Sequence, residues 1–313
     1  MQHFLPQDPK NLLSGIRSGD FRAIARAITL VENSAPGTDL LLAALQHTGD
    51  TKVVGITGPP GAGKSTLVNA LVGYWVEKGK KIAVLAVDPS SPFNLGALLG
   101  DRIRLAGFYT HPHVFIRSLA SRGSLGGLHP AIMQVTDLVR EAPFDLVLVE
   151  TVGVGQSEIE IAGLADCTVV TLVPEAGDEV QAMKAGLMEI ADIFVINKGD
   201  RPEADAMVRR IRNMAHERAR DGVEAPVFKT VATQNEGVEK VAKAIEKTLS
   251  GKQSRNERQQ HLRADKVMRL AVDKLLKDVS HADLMADIQA AEAAGNLNVY
   301  RMAEALKEKI LGR

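Results

Sequence analysis

The chain is poor in several of the residues that make unusual chemistry easy to recognise. One cysteine, Cys167, stands among 313 residues, which excludes an internal disulfide and any all-cysteine metal cage. It lies in the apolar run "CTVVTLV" and reads as a small buried hydrophobe. Aromatic residues make up 4% of the chain, so a core has to be built from aliphatics, which the 45% hydrophobic content supplies. Charge of one sign is also missing, since 38 Lys and Arg balance 38 Asp and Glu. Without a basic field there is no sequence-independent attraction for a polymer of phosphate, and no nucleic-acid partner is expected. No uninterrupted apolar run reaches the ~18 residues of a transmembrane helix, so no membrane partner is expected either. The opening "MQHFLPQDPKNLL" has neither a basic region followed by an apolar run nor an Arg/Ser-rich amphipathic pattern. The expectation is a soluble, cytoplasmic protein.

What is present falls into three parts. Residues 11 to 48 carry helical periodicity, with Leu12, Leu13 and Ile16, then Ile24, Ala27, Ile28 and Val31, and a break at "SAPGTD" before "LLLAALQH". This predicts a helical N-terminal extension over 1–50. From 52 onward, short β-rich runs alternate with helical ones: "KVVGIT", "KIAVLAVD", "HVFIRS", "DLVLVE", "CTVVTLV", "DIFVIN" and "PVFKTV". Runs apolar on both faces and separated by helices predict an α/β fold, a doubly wound and mostly parallel sheet over 51–250. Beyond the polar stretch "SGKQSRNERQQ", Val267, Leu270, Ala271, Leu275 and Val279 mark one amphipathic helix. Leu297, Met302, Leu306 and Ile310 mark another. Residues 251–313 are therefore a helical tail, a packing or oligomerisation arm in expectation.

The strongest chemical signal is "GITGPPGAGKST". Gly58, Gly63, Lys64 and Ser65 hold the spacing G-x-x-x-x-G-K-[ST] between a strand and a helix. Glycines let backbone N–H groups turn onto phosphates, and the helix N-terminus adds favourable potential. Lys64 reaches the terminal phosphates, and Ser65 offers a hydroxyl to Mg2+.

A phosphate cradle does not choose the base. "INKGD", at the end of another apolar run, does so in this context. An ionised carboxylate accepts hydrogen bonds and cannot donate, so Asp200 can take the two adjacent donors of guanine, where adenine would present an acceptor. Asn197 can tie that loop to the cradle, and the stem of Lys198 can cover the base. GTP/GDP is the expected nucleotide. The competing reading makes Asn197 and Asp200 ordinary helix caps.

Three acids stand where Mg2+ or its waters would be: Asp88 at the end of "KIAVLAVD", Asp101 in "LLGDRIRL" and Glu150 at the end of "DLVLVE". Magnesium usually takes one or two protein oxygens, so not all three are direct ligands. Asp88 also fits a turn before Pro89, and Asp101 a helix cap or a partner for Arg102 or Arg104. In "VETVGVGQSE", the extra methylene of Glu150 lets its carboxylate reach a metal-bound water from a strand end set back by about a bond length. Gly153 leaves a backbone N–H able to approach a γ-phosphate. Gln156 fits either a water-positioning role or a solvated loop.

With "GPPGAGKST", "VDPSSP", "ETVGVGQSE" and "NKGD" together, the sequence closely resembles the MeaB/ArgK family of P-loop GTPases over almost its whole length. The resemblance implies a P-loop GTPase fold with helical extensions and a C-terminal dimerisation arm. It further implies a GTP-dependent chaperone that gates cofactor loading and protects or reactivates an adenosylcobalamin-dependent acyl-CoA mutase, chiefly methylmalonyl-CoA mutase. Carried over by position, it implies phosphate contacts from Gly58, Pro59, Pro60, Gly61, Ala62, Gly63, Lys64, Ser65 and Thr66. Metal-associated roles fall on Ser65, Asp88, Asp101 and Glu150, and catalytic ones on Lys64, Asp101 and Glu150. Guanine recognition falls on Asn197, Lys198 and Asp200, with Val231, Ala232 and Thr233 of "TVAT". That loop has Val231 where a Ser is commoner, which leaves backbone N–H contact as the expectation. In "PEAGDEVQAMKAG", Asp178, Gln181 and Lys184 would relay nucleotide state to the mutase. "RSLASRGSLGGLHP" is a glycine-rich basic loop facing nucleotide or partner, or an ordinary connector.

Rival readings are a metal-insertion GTPase, a transport-associated kinase or ATPase, and a GTP-regulated binding module with negligible turnover. Against the first, "THPHV" and a lone cysteine are too few metal ligands. No motif positions an arginine on the transferring phosphate, so hydrolysis is expected to be slow without a partner.

Overall fold

The computed structural model describes residues 9–46, 51–88, 105–120, 131–153, 157–176, 186–217, 224–251, 279–294 and 297–312, with isolated positions between 264 and 276. The chain divides into two compact units, Met1–Lys252 and Gln253–Arg313.

Seven strands build the first unit: β1 (Lys52–Thr57), β2 (Ile82–Asp88), β3 (Val114–Ala120), β4 (Leu146–Glu150), β5 (Cys167–Leu172), β6 (Ile193–Ile196) and β7 (Val227–Lys229). They form one sheet in the order β3-β2-β4-β1-β5-β6-β7, and every pairing is parallel. All seven coincide with the apolar runs of the sequence, and "mostly parallel" becomes wholly parallel among the described strands. The reason is physical: strands covered on both faces are predominantly apolar, and parallel strands need helical crossovers.

Successive strand residues point to opposite faces, and each face has its own helices. Val54, Ile56, Ile82 and Val84 pack with Leu67, Leu71 and Trp75 of α4 (Lys64–Val76), and with the helix Val238–Ser250. Val53, Ala83, Leu85 and Val147 pack on the other face with α1 (Pro9–Arg17), α2 (Phe21–Glu32), α3 (Thr38–Ala43), α5 (Ile132–Arg140), α6 (Ser157–Leu164), α7 (Gly186–Ile190) and α8 (Ala204–Glu217). The N-terminal helices thus share the core of the sheet. Their apolar run is divided at an additional point: Gly19 has φ +81° and Asp20 caps α2 by accepting from the Arg22 N–H at 2.8 Å. A short, capped turn of this kind interrupts the chain without disturbing the spacing of Ile16 and Ile24.

Following the helix Val238–Ser250, which is α9, the second unit holds α10 (His281–Ala293) and α11 (Val299–Leu311). Helix α10 lies between the two helices expected from the tail and has no single apolar stripe to announce it. Val267, Met268, Leu275 and Tyr300 are exposed. Among the described residues, no helix is long and apolar enough to cross a membrane.

Candidate functional site

In a doubly wound sheet, ligands bind beyond the carboxyl ends of the strands, where the chain reverses its direction of travel across the sheet. Here β1 is flanked by β4 and β5, and the segment that leaves β1 is Gly58–Gly63. Gly58 has φ +138°, and a Cβ there would sit 1.9 Å from the Thr171 carbonyl oxygen, so only glycine lets the chain leave β1 along this path. Gly61 and Gly63 share positive φ. Helix α4 begins at Lys64 with Gly63 in the N-cap position and no side-chain cap. Gly63 has no side chain to fold over the first N–H groups, which suits an anion at the helix start.

Lys64 and Ser65 are both buried. The Lys64 ammonium donates to the carbonyls of Gly58 at 2.9 Å, Pro59 at 3.0 Å and Val152 at 3.3 Å, so it spans the cradle and the loop after β4. The Ser65 hydroxyl donates to Glu150 Oε1 at 2.6 Å, and Glu150 is 4% exposed. The carboxylate accepts the hydroxyl's hydrogen bond, and the pair presents oxygen atoms only, the ligand type Mg2+ requires. Gly153 has φ +86°, and a Cβ there would lie 2.1 Å from Gly58 O and 2.5 Å from the Lys64 nitrogen. The backbone at 153 therefore rests directly on the cradle.

Asn197, 3% exposed, joins three segments. Its Nδ2 donates to Ala62 O at 3.1 Å and to Gly63 O at 3.4 Å. Its Oδ1 accepts from the Thr230 hydroxyl at 3.1 Å and from the Ala232 N–H at 3.2 Å. Helix α8 starts only at Ala204, so Asn197 is a cross-link and not a helix cap. The turn after it is held by Gly199 N–H donating to Thr230 O at 2.8 Å and by Lys198 at φ +56°. Lys198 is half-buried and Asp200 is exposed at the rim. Val231 and Ala232 are buried beside Asn197, and Thr233 is exposed. Arg201 pairs with Glu175, and that guanidinium, hydrogen-bonded to the carboxyl, holds Glu175 below the usual carboxylate range.

The structure thus gathers Gly58 to Thr66, Glu150, Asn197, Lys198, Asp200 and the 231–233 loop at one end of the sheet. Asp88 closes β2, with Ala120 as its register partner on β3; its side chain lies outside the described residues. So do Asp101, Gln156, Asp178, Gln181, Lys184 and the 121–130 part of the basic loop. Three features escape a reading of the sequence: the Val152 carbonyl on Lys64, the Thr230 hydroxyl on Asn197, and a Thr57–Thr151 hydroxyl pair. The first leaves no trace in residue identity. The other two leave only threonines at strand ends.

A family model described as methylmalonyl Co-A mutase-associated GTPase MeaB matches residues 24–284. A Pyrococcus horikoshii protein named as a GTPase is 40% identical over 314 residues, covering 96% of this chain and 98% of that protein. GTPase ArgK of Escherichia coli is 44% identical over 190 residues, 59% of this chain and 57% of that protein. Among solved structures, one titled LAO/AO transport system kinase superposes with a TM-score of 0.68 at 26% identity, over 98% of this chain and 100% of that one.

Proposed function

From the premise that the chain belongs to the MeaB family of methylmalonyl-CoA mutase-associated GTPases, we propose that it is a Mg2+-dependent nucleotide switch serving an adenosylcobalamin-dependent acyl-CoA mutase. That it is a P-loop GTPase is given by the family, the named relatives and the fold. The finer roles are our reading. Asp200 accepts from guanine's ring imino and amino groups, the stem of Lys198 covers the base, and the Ala232 backbone lies at the base edge. Lys64 and the start of α4 take the phosphate charge. Ser65 and Glu150 hold the metal side of the site, with Asp88 and Asp101 as further acids. Bound Mg2+ would supply charge neutralisation on the phosphates. The chain's own groups hold the nucleotide in line and keep water positions fixed.

The observation that carries this reading is Asn197, a single buried side chain hydrogen-bonded to the cradle and to the base-side loop at once. One residue therefore places a phosphate site and a base site at a fixed separation. The mutase assignment rests on the family's description. Asp178, Gln181 and Lys184 would carry nucleotide state to that partner. The second unit, whose Val267, Met268, Leu275 and Tyr300 are exposed, is read as a homodimerisation arm. We place its action in the cytoplasm.

The test is phosphate release and co-sedimentation with purified methylmalonyl-CoA mutase, in GDP and in a non-hydrolysable GTP analogue. Nucleotide-dependent binding with faster hydrolysis supports the reading. A phosphoprotein product would favour the transport-kinase alternative that the superposed structure's title raises. Binding without turnover would favour a pure GTP-regulated module.

A further inference from the structure

Four consecutive residues, from Glu150 at the end of β4 to Gly153, are each fixed to the β1–α4 segment. Glu150 accepts from Ser65, Val152 accepts from Lys64 and Gly153 rests against Gly58. Between them, Thr151 is 1% exposed, and its hydroxyl lies 3.0 Å from that of Thr57, 0% exposed. The register pairs Ile56 with Glu150, and the Thr151 N–H donates to Ile56 O at 3.1 Å, so the ladder continues one rung past β4. Partners in a parallel register point to the same face, and neighbours along a strand to opposite faces. The Thr57–Thr151 bond is therefore on the face opposite the Ser65–Glu150 bond. The strand end is gripped from both sides immediately before the chain reaches the cradle.

We propose that Thr57 and Thr151 are a positioning pair for GTP hydrolysis, setting the height of Val152 and Gly153 above the cradle and so the discrimination of nucleoside triphosphate from diphosphate. Both hydroxyls are shut from water, and each finds its hydrogen-bond partner in the other among the described residues. A pure packing role would be met equally well by valine, which has the same shape. A hydroxyl pair adds direction: it fixes which way residue 151 faces, and with it the orientation of the next two peptide planes. Thr57 is the last residue before Gly58, so the same bond links the two segments that meet the terminal phosphates.

The proposal rests on the assignment of Glu150 and Gly153 to the phosphate side of the site. The experiment uses the full chain with Thr151→Val, Thr151→Ser, the double variant Thr57→Val/Thr151→Val, and Glu150→Gln as the control on that assignment. Calorimetry with GDP and with a non-hydrolysable GTP analogue is paired with single-turnover hydrolysis and a thermal melt. For Thr151→Val the expected result is at least a fivefold loss in hydrolysis and in analogue affinity, with GDP affinity within twofold of wild type. Thr151→Ser restores most of both, and the double variant is no worse than the single one, because the two hydroxyls act through one bond. Equal loss of GDP and analogue affinity, or wild-type hydrolysis in Thr151→Val while Glu150→Gln is impaired, overturns the pair's role. Wild-type hydrolysis in Glu150→Gln overturns the assignment beneath it.

Discussion

Asn197→Ala should separate nucleotide affinity from fold stability more cleanly than any other change at this site. The side chain makes contacts at 3.1, 3.1 and 3.2 Å and a long one at 3.4 Å, so three count as good hydrogen bonds. Each neutral bond contributes about 0.5–1.5 kcal/mol net, and a buried donor left unpaired costs about 1–3 kcal/mol. Truncation loses the bonds to Ala62 and from Thr230, about 1–3 kcal/mol together, and strands the N–H of buried Ala232 for a similar cost, so the total comes to about 2–6 kcal/mol. The strand bonds around it remain: Thr230 N–H still donates to Ile196 O at 2.9 Å and Gly199 N–H to Thr230 O at 2.8 Å. The sheet should therefore stay folded while cradle and base loop lose their fixed separation, and most of the cost should fall on binding. At about 1.4 kcal/mol per tenfold, GDP affinity drops by at least about 30-fold. Asn197→Asp should be worse, since a carboxylate oxygen would face the carbonyls of Ala62 and Gly63 in place of a donor. Calorimetric GDP titration is compared with the urea midpoint. GDP binding within threefold of wild type in Asn197→Ala would refute the cross-link argument, as would an unfolded protein.

Other perturbations address separate parts of the site. Asp200→Asn should weaken GDP binding and favour xanthosine diphosphate, because an amide can donate to the carbonyl that replaces guanine's amine; equal, undiminished affinities measured by calorimetry would remove Asp200 from base recognition. Gly153→Ala forces an L side chain to φ +86° with its Cβ 2.1 Å from Gly58 O. Left-handed backbone alone costs about 1–2 kcal/mol, so hydrolysis should fall at least tenfold in a stopped-assay time course, and a wild-type rate would show that residue 153 is free to move off the cradle. Hydrolysis by the isolated chain should be slow and should rise with added mutase, since an arginine supplied in trans can be worth about 10³–10⁵ in rate; flat turnover at saturating partner would count against partner gating.

The sheet was legible because strands buried on both faces are predominantly apolar, and seven such runs appear in the sequence. The cradle was legible because its spacing, glycines and flanking elements must occur together. Asn197 was legible for a related reason: an amide is among the few side chains that can donate to one loop while accepting from another. What stayed hidden depends on contacts between distant residues. Thr57 and Thr151 are 94 positions apart, and neither threonine differs in sequence from any other β-former at a strand end. The break at Gly19 was missed because it preserves the apolar spacing on either side. Helix α10 was missed because its small and apolar residues, in "HADLMADIQAAEA", are spread around the axis instead of forming a stripe.

The measurement that bears most directly on the account is single-turnover GTP hydrolysis, titrated with Mg2+, for the wild type, Glu150→Gln and Glu150→Asp. Glu150 is buried and accepts the Ser65 hydroxyl hydrogen bond at 2.6 Å. The glutamine keeps length and loses charge, and the aspartate keeps charge and loses reach. Both variants should hydrolyse GTP more slowly and need more Mg2+ to reach half their maximal rate, while GDP affinity, proposed to rest on the cradle, Asn197 and Asp200, should change little. A wild-type rate and Mg2+ midpoint in both variants would contradict the account and leave Glu150 as a structural partner of Ser65.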